Sequence, residues 1–96
     1  MTDEPVRVRA VVRGRVQMVG YRMFAVQTAG RLGSISGAVR NLADGASVEV
    51  VAEGPRRVLE SFLNELRSGP PHALVREVEV SWSEASGEFD GFRTIF

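Results

Sequence analysis

The stretch VRVRAVVRGRVQMVGYRMFAVQTAGRLG, residues 6–33, predicts a strand, a loop and a helix in direct succession. Small apolar residues first alternate with arginines, which is the pattern of a half-buried strand, although Val11 falls on the arginine face. Apolar residues then recur at helical spacing over residues 21–32, and Gly33 is placed to end that helix. Residues 14–20 therefore form the loop that joins the strand to the helix.

The rest of the chain supplies further strands and a second helix. Two short β-like runs, residues 35–42 and 47–53, flank Asp44-Gly45, a dipeptide typical of hairpin turns. Apolar residues at helical spacing follow Pro55, and alternating residues over 78–82 predict another strand. A last short strand is expected at the C-terminal end of the sequence.

The element order β-α-β-β-α-β, with a possible extra strand, indicates an α+β fold of the ferredoxin-like type. We expect an antiparallel sheet of four to five strands with two helices on one face. Residues 1–5 are expected to form a flexible leader, and residues 6–96 a single domain.

The composition excludes several classes of protein. The 96 residues include no cysteine, no lysine and one histidine, so thiol nucleophiles, disulfides, Schiff-base lysines and multi-histidine metal sites are ruled out. We therefore expect no metal site. No apolar run has the length needed to span a membrane, and the absence of cysteine fits a reducing compartment, so we expect a cytoplasmic protein without membrane attachment.

The charges are balanced in number but not in position. Residues 1–40 hold seven Arg against two acidic residues, a net charge of +5, and residues 41–96 hold five Arg against ten acidic residues, a net charge of −5. An anion would therefore bind in the first half. Nucleic acid is not an expected partner, because the overall charge is zero and the arginine face of the first strand has no aromatic side chain to stack on bases.

The loop before the first helix is a candidate anion site. Successive backbone N–H groups of a compact loop and of a helix N-terminus can surround a phosphate-sized anion, although an ordinary turn has the same sequence features. Arg22 lies in the first helical turn, where a cation opposes the helix dipole and needs a negative partner. That partner is either a bound phosphate or a neighbouring carboxylate.

Asn41 also has two interpretations. Its amide can hydrogen-bond the nearby Asp44-Gly45 turn, or it can orient a water molecule, because an amide both donates and accepts and does not titrate.

Two motifs resemble the signatures of the acylphosphatase family. Residues 14–22, GRVQMVGYR, resemble G-x-V-Q-G-V-x-[FY]-R, and residues 37–41, GAVRN, resemble G-[FYW]-V-[KR]-N. Further matches follow in the family's order, so the resemblance covers roughly residues 6–96. Met18 stands where the family usually has Gly, and Ala38 replaces the usual aromatic residue.

The resemblance implies hydrolysis of small acyl phosphates to a carboxylate and inorganic phosphate, without metal or cofactor. Arg22 would bind the phosphoryl oxygens and Asn41 would orient the attacking water. The phosphate-binding loop would comprise the backbone N–H groups of Arg15, Val16, Gln17, Met18, Val19 and Gly20.

The two departures leave a second interpretation, a non-catalytic acylphosphatase-like module that binds a small anion or a partner protein. A ferredoxin-like domain that binds RNA on the surface of its sheet is a more distant third interpretation. We expect a monomer whose partner is its small acyl phosphate substrate.

Overall fold

The computed structural model describes residues 4–96, which fold into five strands and two helices. The elements are β1 (Pro5–Arg15), α1 (Tyr21–Leu32), β2 (Ser36–Asn41), β3 (Ser47–Pro55), α2 (Arg56–Ser68), β4 (Leu74–Glu84) and β5 (Phe92–Thr94). The order matches the prediction, and α1 has the predicted bounds. β1 begins at Pro5, one residue before the predicted start of the domain, and residues 1–3 of the expected leader lie outside the described residues.

The strands form one sheet in the order β4-β1-β3-β2-β5. The neighbours among β1 to β4 are antiparallel, as predicted, but β5 runs parallel to β2, so the expectation of a wholly antiparallel sheet is wrong at this edge. β5 reaches this edge because the Gly37 N–H donates to the Gly91 carbonyl at 2.9 Å and the Ile95 N–H donates to the Val39 carbonyl at 2.9 Å.

Both helices cover the same face of the sheet, where the apolar side chains of the strands meet those of the helices. The predicted inward residues Val8, Ala10 and Val12 of β1 are fully buried there. From α2, Leu59 and Phe62 pack against them. Burying such side chains is the main favourable contribution to folding.

The opposite face of the sheet carries ion pairs. Arg9 donates to Glu49 at 2.7 Å, and Arg13 contacts Glu79 at 3.0 Å. Val11, which the alternation places on the arginine face, lies between these pairs and is only 2% exposed. The aliphatic parts of long charged side chains cover apolar surface in this way while their charged ends stay in water.

Candidate active site

Gly14 directs the end of β1 into the loop that was predicted to bind an anion. The pairing of β1 with β4 shifts register between Arg13 and Gly14, and the backbone of Gly14 has φ 137°. A Cβ at this position would collide with the Leu74 carbonyl oxygen. Only glycine fits this bulge, after which the chain leaves the sheet and forms residues 16–20.

Residues 16–20 form a compact loop with two left-handed residues, Met18 (φ 63°) and Gly20 (φ 79°). Where left-handed residues alternate with residues of ordinary backbone conformation, successive N–H groups point to one side. This is the geometry of an anion-binding concavity. Within residues 4–96, the N–H groups of residues 17–20 donate no hydrogen bond to another residue. The loop therefore presents free donors.

The left-handed conformation explains why Gly is usual where this chain has Met18. A residue with a Cβ costs about 1–2 kcal/mol in that region, so the loop keeps its conformation here against local strain. Val16 holds the start of the loop in place, because its side chain is buried in the core.

Arg22 lies in the first turn of α1, next to this loop. That turn contains no acidic residue, and no side chain in the described part of the chain caps the helix. Among residues 4–96, no carboxylate lies within ion-pair distance of Arg22, whose guanidinium carbon is instead 5.6 Å from the centre of the Phe96 ring. The carboxylate partner considered from the sequence is therefore absent from the described part of the chain.

Asn41 is the last residue of β2, and its side chain does not form the adjacent turn. Its Oδ1 atom is buried and has no hydrogen-bond partner in residues 4–96. The turn is instead held by Asp44, whose carboxylate accepts hydrogen bonds from the Ala46 and Ser47 N–H groups at 2.8 and 2.9 Å and from the Ser47 hydroxyl. Among the contacts that lower the pKa of Asp44, the hydrogen bond from the Ser47 hydroxyl contributes most.

Gln17 has a role that sequence reasoning missed, because only its backbone N–H was assigned. Its side-chain Nε2 donates to the Leu42 carbonyl at 3.0 Å and to the Ser47 carbonyl at 2.8 Å. These bonds tie the loop to the hairpin whose first strand ends at Asn41. No periodicity in the sequence indicates this contact, since it joins segments 25 and 30 residues apart.

The loop, Arg22 and Asn41 meet in one open cleft of about 420 Å³. The lining residues are Val16, Met18, Gly20, Tyr21, Arg22, Met23, Val26, Asn41, Thr94 and Phe96. Three residues of the predicted loop do not line it, namely Arg15, Gln17 and Val19. Arg15 is the exposed last residue of β1, and Val19 packs against the core.

Tyr21 lines the cleft but has a structural role. Its hydroxyl donates to the Leu66 carbonyl at 2.7 Å, which joins α1 to the end of α2. Burial raises the pKa of this hydroxyl above its ordinary value, so it remains a neutral donor.

Two further observations concern metals and membranes. No three side chains of His, Asp or Glu gather as a metal site anywhere in residues 4–96. Neither helix in this part of the chain has the length and apolar character needed to cross a bilayer.

Comparison with known proteins identifies the family. The acylphosphatase family model matches residues 8–94. An acylphosphatase of Dehalococcoides mccartyi is 52% identical over 85 residues, covering 88% of this chain and 92% of that protein. One of Thermus thermophilus is 56% identical over 81 residues, covering 84% and 90%.

A solved structure gives the same result. The crystal structure of acylphosphatase from Bacillus subtilis superimposes with a TM-score of 0.89 at 34% identity, covering 95% of this chain and 99% of that one. These relatives carry the name of the activity, which does not favour the non-catalytic module. The chain belongs to the acylphosphatase family, and it is an enzyme that hydrolyses acyl phosphates.

Proposed function

We propose that the cleft is the active site, in which Arg22 and the free N–H groups of residues 17–20 bind the phosphoryl group while Asn41 orients the attacking water. One observation carries this assignment. The guanidinium of Arg22 and the amide oxygen of Asn41 line the same cleft, and within residues 4–96 the first has no carboxylate partner and the second has no hydrogen-bond partner. Each lacks a partner of the kind that the substrate complex would supply, an anion for Arg22 and a water O–H for Asn41.

The chemistry requires little else from the protein. The water oxygen forms a bond to phosphorus, and the bond between phosphorus and the bridging oxygen breaks, so that the carboxylate leaves with the electron pair. The proton released by the water passes to phosphate or solvent. A carboxylate is a good leaving group, so positioning and charge stabilisation are sufficient and a strong general base is not needed.

Each donor acts where negative charge resides. The planar guanidinium of Arg22 can bind two phosphoryl oxygens at once, and the loop N–H groups supply fixed donors that need no reorganisation during the reaction. The Asn41 Oδ1 would accept a hydrogen bond from the water and so direct an oxygen lone pair at phosphorus. Arg22 and the loop N–H groups supply the positive charge and dipoles for which other phosphoryl-transfer enzymes use a metal ion, so we also propose that the reaction is metal-independent.

Hydrolysis of acetyl phosphate in the presence of a chelator tests the assignment. We expect full wild-type activity under these conditions and a fall in kcat/KM of at least about a hundredfold for Arg22→Ala. Arg22→Lys should restore little, since an ammonium does not reproduce the planar fork. Arg31→Ala is the matched control, because Arg31 lies at the other end of α1, where it contacts Glu65 at 3.3 Å.

Two results would overturn the assignment. Loss of activity with chelator, restored by a divalent metal, would contradict the metal-independent mechanism. Near-normal kcat/KM in a folded Arg22→Ala variant would place the phosphoryl site elsewhere.

We further propose that the protein acts as a cytoplasmic monomer on a small acyl phosphate and has no nucleic-acid partner. The arginines of the open sheet face support the last point, because Arg7, Arg9, Arg13 and Arg40 all form ion pairs with glutamates. Paired arginines are poorly placed to neutralise phosphates of a nucleic acid. Light scattering at micromolar concentration tests the monomer, and a mass twice that of the chain would contradict it.

A further inference from the structure

Three exposed apolar side chains lie around the cleft. Within residues 4–96, the large apolar side chains that are exposed are Met18, Met23, Leu74, Ile95 and Phe96. Of these, Met18 (100% exposed), Met23 (66% exposed) and Phe96 line the cleft that contains Arg22. They come from the loop, from α1 and from the segment after β5, so the sequence does not place them together.

Met18 contributes nothing to the core of this chain. Its side chain is fully exposed and its backbone is in the strained left-handed region, where glycine would be relaxed. Neither packing nor local conformation therefore accounts for a long apolar side chain at this position. A backbone outlier at a binding loop is a reason to look for a functional role.

We propose that Met18, Met23 and Phe96 form an acyl subsite that favours substrates with an apolar acyl group. This inference rests on the proposed function, because it takes the phosphoryl group to be bound by Arg22 and the loop. The acyl carbon is joined to phosphorus through a single oxygen atom, so the acyl chain must begin in the same cleft. The three side chains are the exposed large apolar groups of its lining.

The charge of the cleft supports the same substrate class. Among the described residues that line it, only Arg22 has a charged side chain, and the phosphoryl group would engage it. An acyl chain with a second carboxylate would find no further cation in the lining. Unbranched methionines adapt to varied apolar shapes, so a range of alkyl and aryl groups would be accepted.

A series of acetyl, butanoyl and hexanoyl phosphates tests the subsite, because added methylenes far from the carbonyl change leaving-group reactivity little. We expect kcat/KM to rise about twofold per methylene. In free energy, this is about half of what complete burial of a methylene contributes. The gain should appear in KM, since the chain is bound equally in the ground state and the transition state.

Variants of the lining assign the effect to named side chains. Met23→Gln keeps the length and the helix propensity but removes the apolar end, and it should reduce the dependence on chain length. Met23→Leu is the matched control and should retain the dependence. Phe96→Ser should also reduce it, and Phe96→Leu should preserve it. The readout is the slope along the series, because Phe96 also contacts Arg22.

The outcomes separate this inference from the proposed function. If acetyl phosphate is hydrolysed with the expected dependence on Arg22 but kcat/KM is flat along the series, the acyl subsite is wrong and the active site stands. The subsite is also wrong if the slope exists and Met23→Gln and Phe96→Ser both leave it unchanged. If Arg22→Ala hydrolyses acetyl phosphate normally, the active-site assignment itself fails.

Discussion

Asn41→Ala separates an asparagine that orients water from one that supports the fold. Within residues 4–96, no group donates a hydrogen bond to the Asn41 Oδ1. Replacing Asn41 by alanine therefore breaks no hydrogen bond at that atom. We therefore expect the free energy of unfolding to change by less than about 0.5 kcal/mol. Loss of a positioned nucleophile should lower kcat about a hundredfold, which corresponds to about 3 kcal/mol of transition-state stabilisation.

The assay measures three quantities on one preparation: kcat for acetyl phosphate, competitive inhibition by inorganic phosphate and the unfolding midpoint. Inhibition should be nearly unchanged, because Arg22 and the loop remain. Asp44→Ala is the control, since it removes three hydrogen bonds that hold the turn. It should lower the midpoint and leave turnover per folded molecule nearly intact. The reasoning is refuted if Asn41→Ala lowers the midpoint and keeps its kcat.

Three further predictions concern stability and the loop. Gln17→Ala, which removes the two bonds between loop and hairpin, should lower kcat/KM for acetyl phosphate, whereas an unchanged value would show that these bonds do not position the loop. Met18→Gly should raise the free energy of unfolding by about 0.5–1 kcal/mol, because relief of left-handed strain exceeds the added entropy of the unfolded chain; a urea titration that shows destabilisation would contradict this. Glu53→Gln should destabilise the protein at pH 7 by at most about 3 kcal/mol and have little effect near pH 2, as measured by urea unfolding at several pH values.

The pH dependence of Glu53 follows from its surroundings. Its side chain is 4% exposed, and burial alone would raise the pKa of the carboxyl. Hydrogen bonds from the Ser86 and Gly87 N–H groups, the Ser86 hydroxyl and Arg7 overcome this and lower the pKa from 4.5 to about 2. Because the folded-state pKa is depressed, the stabilisation is present above pH 4.5 and is lost as the pH falls toward 2. A pH-independent effect of Glu53→Gln would refute this account.

Local sequence patterns predicted the elements whose ends are marked by glycine or proline residues. The alternation in β1 and the helical spacing between Gly20 and Gly33 are both short-range signals, and the bounds of α1 agree with them. The parallel pairing of β5 was not predictable in this way. β5 has three residues, and its direction depends on contacts with β2, which is some fifty residues earlier in the chain.

The sequence indicated the residues of the candidate site, which remain a prediction, but it did not indicate their contacts. Motif resemblance selected the loop, Arg22 and Asn41, and the left-handed backbone of Met18 agrees with the glycine that the family usually has there. The sequence could not decide between the two roles of Asn41, because that choice depends on whether another side chain holds the turn. Asp44 does so. The bridge made by Gln17 likewise arises only once the sheet places the hairpin beside the loop.

Binding of the phosphoryl group by the loop N–H groups and Arg22 is tested most directly by a titration with inorganic phosphate, followed by amide chemical shifts in a two-dimensional NMR spectrum. We predict that the largest shifts occur at the N–H groups of residues 17–20 and at the side-chain Nε–H of Arg22, and that they are greatly reduced in Arg22→Ala. Largest shifts on the open sheet face, or no saturable shift in the loop, would contradict the account.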